Sequence, residues 1–392
     1  MQKLFLSLML LSMALTKTGG ATQGVINSGA TNFNGKVTIK PLTALTNTGG
    51  TTKGIINRNT SQTRTPNNGP ATVAFSPLSN YVAVTNQNNN NVEIFGVDGL
   101  GNISSTLSLH ATGNAPTSVT WSPNWSVSTG GLIAVANNND NTIQTFSVNP
   151  SGTVSSVLSS QTAGISPYAV AWSPNGGFLA AVNNNNRNTV ETLSVDLSGN
   201  LSPAGSASTD VSPLSVAWSP NWSNTTGGFI VIANSAGNSL QSFSVDTSGN
   251  LLLVSDVATA SVPSSVAISP HGNFVAVANQ NGNNIQTFSL DASGHLSSAA
   301  ISSQLVGPAP IALIWSPTWS NTTGGSLAVI SSYANMIQIF DVNTSGNISS
   351  LQVGYANTGS YPYSLSWSPS GSYIAVTNTG SNNVQIFNSA TI

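Results

Sequence analysis

Ten carboxylates and three imidazoles are all that 392 residues offer for acid–base work near neutral pH, and no cysteine supplies a thiolate. Catalysis of that kind needs such groups to converge in one pocket. Their spacing argues against it. Asp98, Asp196, Asp246, Asp291 and Asp341 share one repeat position ahead of a Ser-Gly pair, where an Asp caps a turn. Asn149 stands there in another copy, so charge is dispensable. Glu93 and Glu191 hold a position that is Gln elsewhere, which leaves Asp140, Asp210 and Asp256. His110, His271 and His295 each lack a second His or a carboxylate at ligand spacing. Asp140 and Arg187 fall in neighbouring turns and could pair, but one surface ion pair contributes little. The residues predict a protein that is not an enzyme, with no metal and no cofactor.

Composition points the same way. Charged residues make up 5% of the chain, against roughly 25% in a typical soluble domain. Net charge is −2, with no basic patch, which excludes nucleic acid and an anionic membrane surface as partners. The expected partner is a protein or a neutral glycan. Residues 1–21 open with one Lys before an apolar run, Leu4 to Leu15, then small residues. That is a secretory signal pattern, too short to span a bilayer, with cleavage expected after Ala21 or Ala14. The mature chain is expected outside the cytoplasm: secreted, periplasmic or at the cell surface, with no membrane insertion.

The rest of the chain repeats. "AFSP" at Ala74–Pro77 returns as "TWSP", "AWSP" twice, "AISP", "IWSP" and "SWSP". Each copy opens with a proline, at Pro70, Pro116, Pro167, Pro213, Pro263, Pro310 and Pro362. After each Ser-Pro comes an apolar run such as "FVAVAN", a polar turn, "IQTFSV", and a Ser-Gly turn. Four short strands per 40–50-residue unit, seven times over, predict an all-β, seven-bladed β-propeller of four-stranded blades. The even units carry a longer first hairpin, as in "SPNWSNTTGG".

"YVAVTN" (Tyr81–Asn86), "FVAVAN" (Phe274–Asn279) and "YIAVTN" (Tyr373–Asn378), each before an Asn-rich turn, resemble YVTN-type repeats of the lactonase-like seven-bladed propellers. The resemblance covers roughly residues 54–392. It implies the propeller fold and an exported or surface protein, in a family that holds both enzymes and binding scaffolds. A sugar-phosphate lactonase would be expected to carry several charged groups at its central mouth, and this composition lacks them.

In such a fold, the turns between strands two and three open on the same face as the blade-to-blade connections. That face gathers the Asn-rich tips, among them Asn88, Asn139, Asn185 and Asn281, with Tyr168, Tyr333, Tyr361 and Tyr363. Asn tolerates a left-handed backbone and suits tight turns, so each Asn is first a turn residue. Together they make a polar, nearly uncharged binding surface. The opposite face carries Trp125, Trp222 and Trp319, either folded back over their own hairpins or exposed as a three-fold set for a partner or sugar ring.

The last unit lacks a fourth strand. Gly54 precedes Pro70 by 16 residues, as the turn Gly of complete units precedes the next Pro by 14 to 16. Residues 54–65, starting Gly54, Ile55, Ile56, are therefore expected to close the ring. The arm, 22–53, overlaps a second copy of this segment: "TKTGGATQGVIN" matches "TNTGGTTKGIIN" at an offset of 30. It is either tail or blade cover, or its Gly24, Val25 and Ile26 add to a neighbouring molecule and build a homo-oligomer or filament.

Overall fold

A computed structural model describes residues 61–184, 188–390 and 392. The leader, the arm, Gly24, Val25, Ile26, Gly54, Ile55, Ile56, Asn185 and Arg187 lie outside the described residues.

Seven four-stranded antiparallel sheets stand in a ring, and the first strand of each blade is innermost. Blade one is Pro70–Phe75, Tyr81–Asn86, Asn91–Val97 and Ile103–Ala111. The next five repeat it in chain order. Blade seven takes its outer strand, Ser61–Arg64, from the other end of the chain, with Ser61 opposite Phe387 and Arg64 opposite Val384. The expected closure therefore forms, through the C-terminal part of the proposed 54–65 segment.

Each second strand is sandwiched between neighbouring blades and reads as a continuous apolar run; Phe274–Asn279 is buried at every position. A separate apolar cluster fills each of the seven blade interfaces. Polar bonds align the blades. The hydroxyls of Ser118, Ser215, Ser265 and Ser364 accept a backbone N–H from the following blade. The indoles of Trp121, Trp172, Trp218 and Trp315 donate to a carbonyl of the preceding one.

The connectors are the strained part. The residue before each first-strand proline has a left-handed backbone, from φ 50° at Tyr361 to 79° at Gly69, and six of the seven are not glycine. Side chains disfavour that region, and a following proline pushes its neighbour towards extended backbone. One asparagine in each preceding turn holds it. Asn90, Asn141, Asn188, Asn238, Asn283, Asn335 and Asn382, themselves left-handed, each accept through Oδ1 the N–H of a connector residue at 2.7–3.0 Å. The last of these, Asn382 to Gly69, closes the ring.

Asn238 and Val262 test this latch, since Val262 is a β-branched residue at φ 60° with its N–H 2.7 Å from Asn238 Oδ1. Asn238→Ala is expected to cost about 1 kcal/mol by urea denaturation, leaving the N–H without its acceptor. Val262→Gly is expected to raise the midpoint, by up to about 1 kcal/mol, because the strain is removed. A destabilised Val262→Gly would show that packing, not backbone strain, governs the position.

Candidate functional site

The Asn-rich turns divide into three jobs. The last strand-two residue, Asn86, Asn137, Asn183, Asn234, Asn279 or Asn378, is fully buried. In each of the six the side chain bonds both to a polar residue opening strand three and to the Gln or Glu two positions on. That Gln in turn accepts the N–H of the blade's own connector, as Gln144 does from Gly113 at 2.9 Å. Glu93 fills the role in blade one, accepting from Asn67 N–H and Asn86. The last turn residue is the latch described above. Only the tips are free to meet a ligand: Asn88, Asn139 and Asn281 are exposed and stand on separate blades.

Tyrosines break the repeat. The residue after the first-strand proline is Ala71, Thr117, Leu214, Ser264 and Ile311 in five blades, but Tyr168 in blade three and Tyr363 in blade seven. Those blades are not neighbours, so the two side chains reach across the central channel, and their hydroxyls meet at 2.5 Å. Burial first, then the adjacent Tyr168 phenol, raise the Tyr363 pKa well above the usual phenol range. Beside this bar lies a cavity of about 380 Å³, lined by Gln280, Ile311, Ser332, Tyr361, Tyr363 and Thr379 among others. Gln280, Ile311, Ser332 and Thr379 escape sequence reasoning because each is ordinary in its own repeat. Tyr333 and Tyr361 stand at the rim, with ring centroids 6.4 Å apart and planes perpendicular.

The opposite face holds a groove of about 520 Å³ between blades four and five, with Asp246, Asp291 and His271 in its lining. Its carboxylates are already engaged. Asp246 Oδ1 accepts the N–H groups of Ser248 and Asn250, and bonds to Asn250 lower its pKa. Asp291 is lowered in the same way, first by His295 N–H. These are turn caps with hydrogen-bonding capacity spent, so the tyrosine mouth is the stronger candidate.

One sequence expectation needs correction here, and the structure decides between the two readings of the tryptophans. Asp341 is not a turn cap. Asn343 does that work, accepting from Ser345 and Asn347 N–H, while Asp341 lies two residues earlier inside Met336–Val342 and accepts from Ser326 Oγ. Trp125, Trp222 and Trp319 are only 3%, 3% and 1% exposed, so they do not form a surface set. Each folds back edge-on to its own strand-one Trp at 5.4–5.8 Å and wedges against an aromatic ring of the previous blade, Tyr81, Phe178 or Phe274. An indole so large is worth more in the interface than in water.

Against the sequence expectation, His295 does have a carboxylate beside it, Asp291 Oδ2 at 3.5 Å, but both side chains are exposed and, among the described residues, no third group joins them. Asp140 accepts from Asn114, Asp210 from Ser239 and Asp256 from Gln241. Among the described residues no three His or carboxylate groups cluster as metal ligands.

A family model described as "Lactonase, 7-bladed beta-propeller" matches residues 59–218 and 223–315. The chain belongs to this lactonase family. No curated protein matches it. Among solved structures, a functionally unknown protein from Desulfotomaculum acetoxidans is 17% identical with a TM-score of 0.65, covering 79% of this chain and 92% of its own. A putative 6-phosphogluconolactonase from Bacteroides fragilis is 18% identical at TM-score 0.61, over 79% of this chain and 87% of its own. A periplasmic gluconolactonase from Pseudomonas aeruginosa is 19% identical at 0.61, over 74% and 86%. At these identities the likeness is one of fold.

The expectation of a non-enzymatic protein is overturned by the lactonase family match, together with two gluconolactonase-named propellers of the same fold. Counting charged groups was the wrong test. It weighs against chemistry that needs a carboxylate or imidazole pair, whereas an ester carbonyl can also be polarised by neutral hydroxyl donors.

Burial accounts for one shifted acid. Desolvation raises the Glu191 pKa, against bonds from Gly164 N–H and Asn183. A raised carboxyl pKa means that ionised Glu191 costs stability at neutral pH, and that this cost fades as pH falls through the folded pKa towards the unfolded value near 4.3. Glu191→Gln, the residue of most other blades, is therefore expected to stabilise at pH 7, with the gain shrinking on acidification in paired urea titrations. A gain independent of pH would remove ionisation as its cause.

Proposed function

We propose that this protein hydrolyses uncharged sugar-type lactones at the tyrosine-barred mouth, as an exported enzyme. The observation that carries the reading is the Tyr168–Tyr363 pair beside a 380 Å³ cavity, with Tyr363 kept protonated by burial. Family membership supports the reaction class. The signal-like run Leu4 to Leu15 supports export.

A phenol that stays protonated can donate to the lactone carbonyl oxygen and to the oxyanion that replaces it. Water adds to the carbonyl carbon, the ring C–O bond breaks, the ring oxygen leaves as a hydroxyl with a proton, and the product is the open hydroxy acid. The mouth stabilises the developing oxyanion, and bulk water takes up the proton released by the acid. Only one donor need be fixed, because strained lactones already open in water.

The lining is also selective. No Lys, Arg, Asp or Glu lines the cavity, and Arg64, the single Lys or Arg among the described residues, donates to Ser104 O at the outer edge of blade one. Among the described residues a phosphate would find no counter-charge there. Glucono-1,5-lactone is therefore expected to be a better substrate than its 6-phosphate, measured as acid release above the buffer rate. Tyr363→Phe is expected to lower kcat by about 10²-fold, the usual effect of one oxyanion donor. Because the phenol pKa is raised, the rate should show no loss from its ionisation up to pH 9. Wild type no faster than buffer, or Tyr363→Phe equal to wild type, would refute the proposal.

A further inference from the structure

In a seven-fold repeat, what recurs is explained by the fold, so what departs from the repeat is informative. The tip position held by Asn88, Asn139 and Asn281 is Tyr333 in blade six and Gly380 in blade seven. The left-handed position before the proline is Gly69, Ala115, Ser166, Ser212, Val262 or Ala309 in six connectors, and Tyr361 in the seventh. Blade four departs too, with Ala236 at its tip, but Tyr361 and Gly380 line the cavity and Tyr333 packs against the Tyr361 ring.

We infer that Tyr333 and Tyr361 form a stacking platform for a second sugar ring, so that the ligand is an uncharged carbohydrate of two or more residues. This rests on the proposed reading of the mouth and names its substrate class. Tyr361 and Tyr333 remain 59% and 69% exposed, large apolar surfaces left in water. Yet Tyr361 is held at both ends. Asn335 Oδ1 holds its N–H at 2.8 Å, and its ring rests where a Cβ at Gly380 would stand 2.7 Å from Tyr361 Cδ2. A tyrosine at φ 50° carries the left-handed cost shared by five other connectors, which only Gly69 avoids.

The chemistry of the surroundings selects the ligand. A pyranose presents an apolar C–H face to an aromatic ring and hydroxyls at its edge. Here the ring comes from Tyr361 with Tyr333 perpendicular to it, and the hydroxyl partners come from Gln280, Ser332 and Thr379. One sugar ring fits beside Tyr363 in the mouth and the next lies on the rim.

The test is equilibrium binding of maltose, cellobiose and glucose to the full chain by calorimetry, which requires no turnover. Wild type is expected to prefer at least one disaccharide over glucose by about ten-fold, a typical aromatic contact converted to affinity. Tyr361→Gly, which suits the left-handed backbone and is the residue already present at Gly69, is expected to abolish that preference, as is Tyr333→Ala. Equal affinity for all three sugars, no binding of any of them, or a preference that survives both variants would overturn the inference. Failure of the hydrolase reading would look different: disaccharide binding would persist while no lactone opened faster than in buffer.

Discussion

A turn amide holding a left-handed peptide is the contact on which this ring depends. The chain must leave the outer strand of one blade, cross the top of the sheet and enter the innermost strand of the next through a proline. Proline brings no N–H to the crowded edge beside the channel, which suits an innermost strand. The cost falls on the residue before it, bent into a region that side chains avoid. The asparagine of the preceding blade holds that bend by accepting a connector N–H at each blade junction. Seven such bonds, the last from Asn382 to Gly69, make closure a repeated local event and not a single long-range one.

The same economy explains the low charge. Buried polar contacts are made by amides and hydroxyls: Gln144 and its equivalents hold the connectors, the serines of the inner strands accept from the neighbouring blade, and the tryptophan indoles reach the previous one, while the Oδ1 atoms of Asn86, Asn137, Asn183, Asn234, Asn279 and Asn378 stay unpaired. Neutral partners carry a smaller desolvation penalty than ions, so a fold packed on both faces of its central strands can bury many of them. Glu93 and Glu191 show that the position tolerates a carboxylate. In Glu191 the penalty is visible as a raised pKa.

Function sits where the repetition fails. Tyr168, Tyr333, Tyr361 and Tyr363 give a bar across the channel and a platform at its rim, beside a cavity with no charged side chain in its lining. Membership of the lactonase family supports the reaction class proposed for that mouth. Its neutrality narrows the ligand to one recognised by hydroxyls and ring faces.

The sequence by itself determined the blades, because each strand is specified by neighbours within a few residues: Pro at the start, alternating or continuous apolar runs, Gly and Asn at the turns. The latch was legible too, since the final turn position is Asn in all seven repeats and only an in-register comparison was needed. Asp341 was misread by two residues because a Ser-Gly turn can be capped equally well by Asn343. The tryptophans needed the interface, as an indole four residues beyond a strand can point either way until the next blade arrives. Tyr168 and Tyr363 are 195 residues apart, and no local rule pairs them. Only the closed ring decided that they meet, because its circumference sets which blades face each other across the channel.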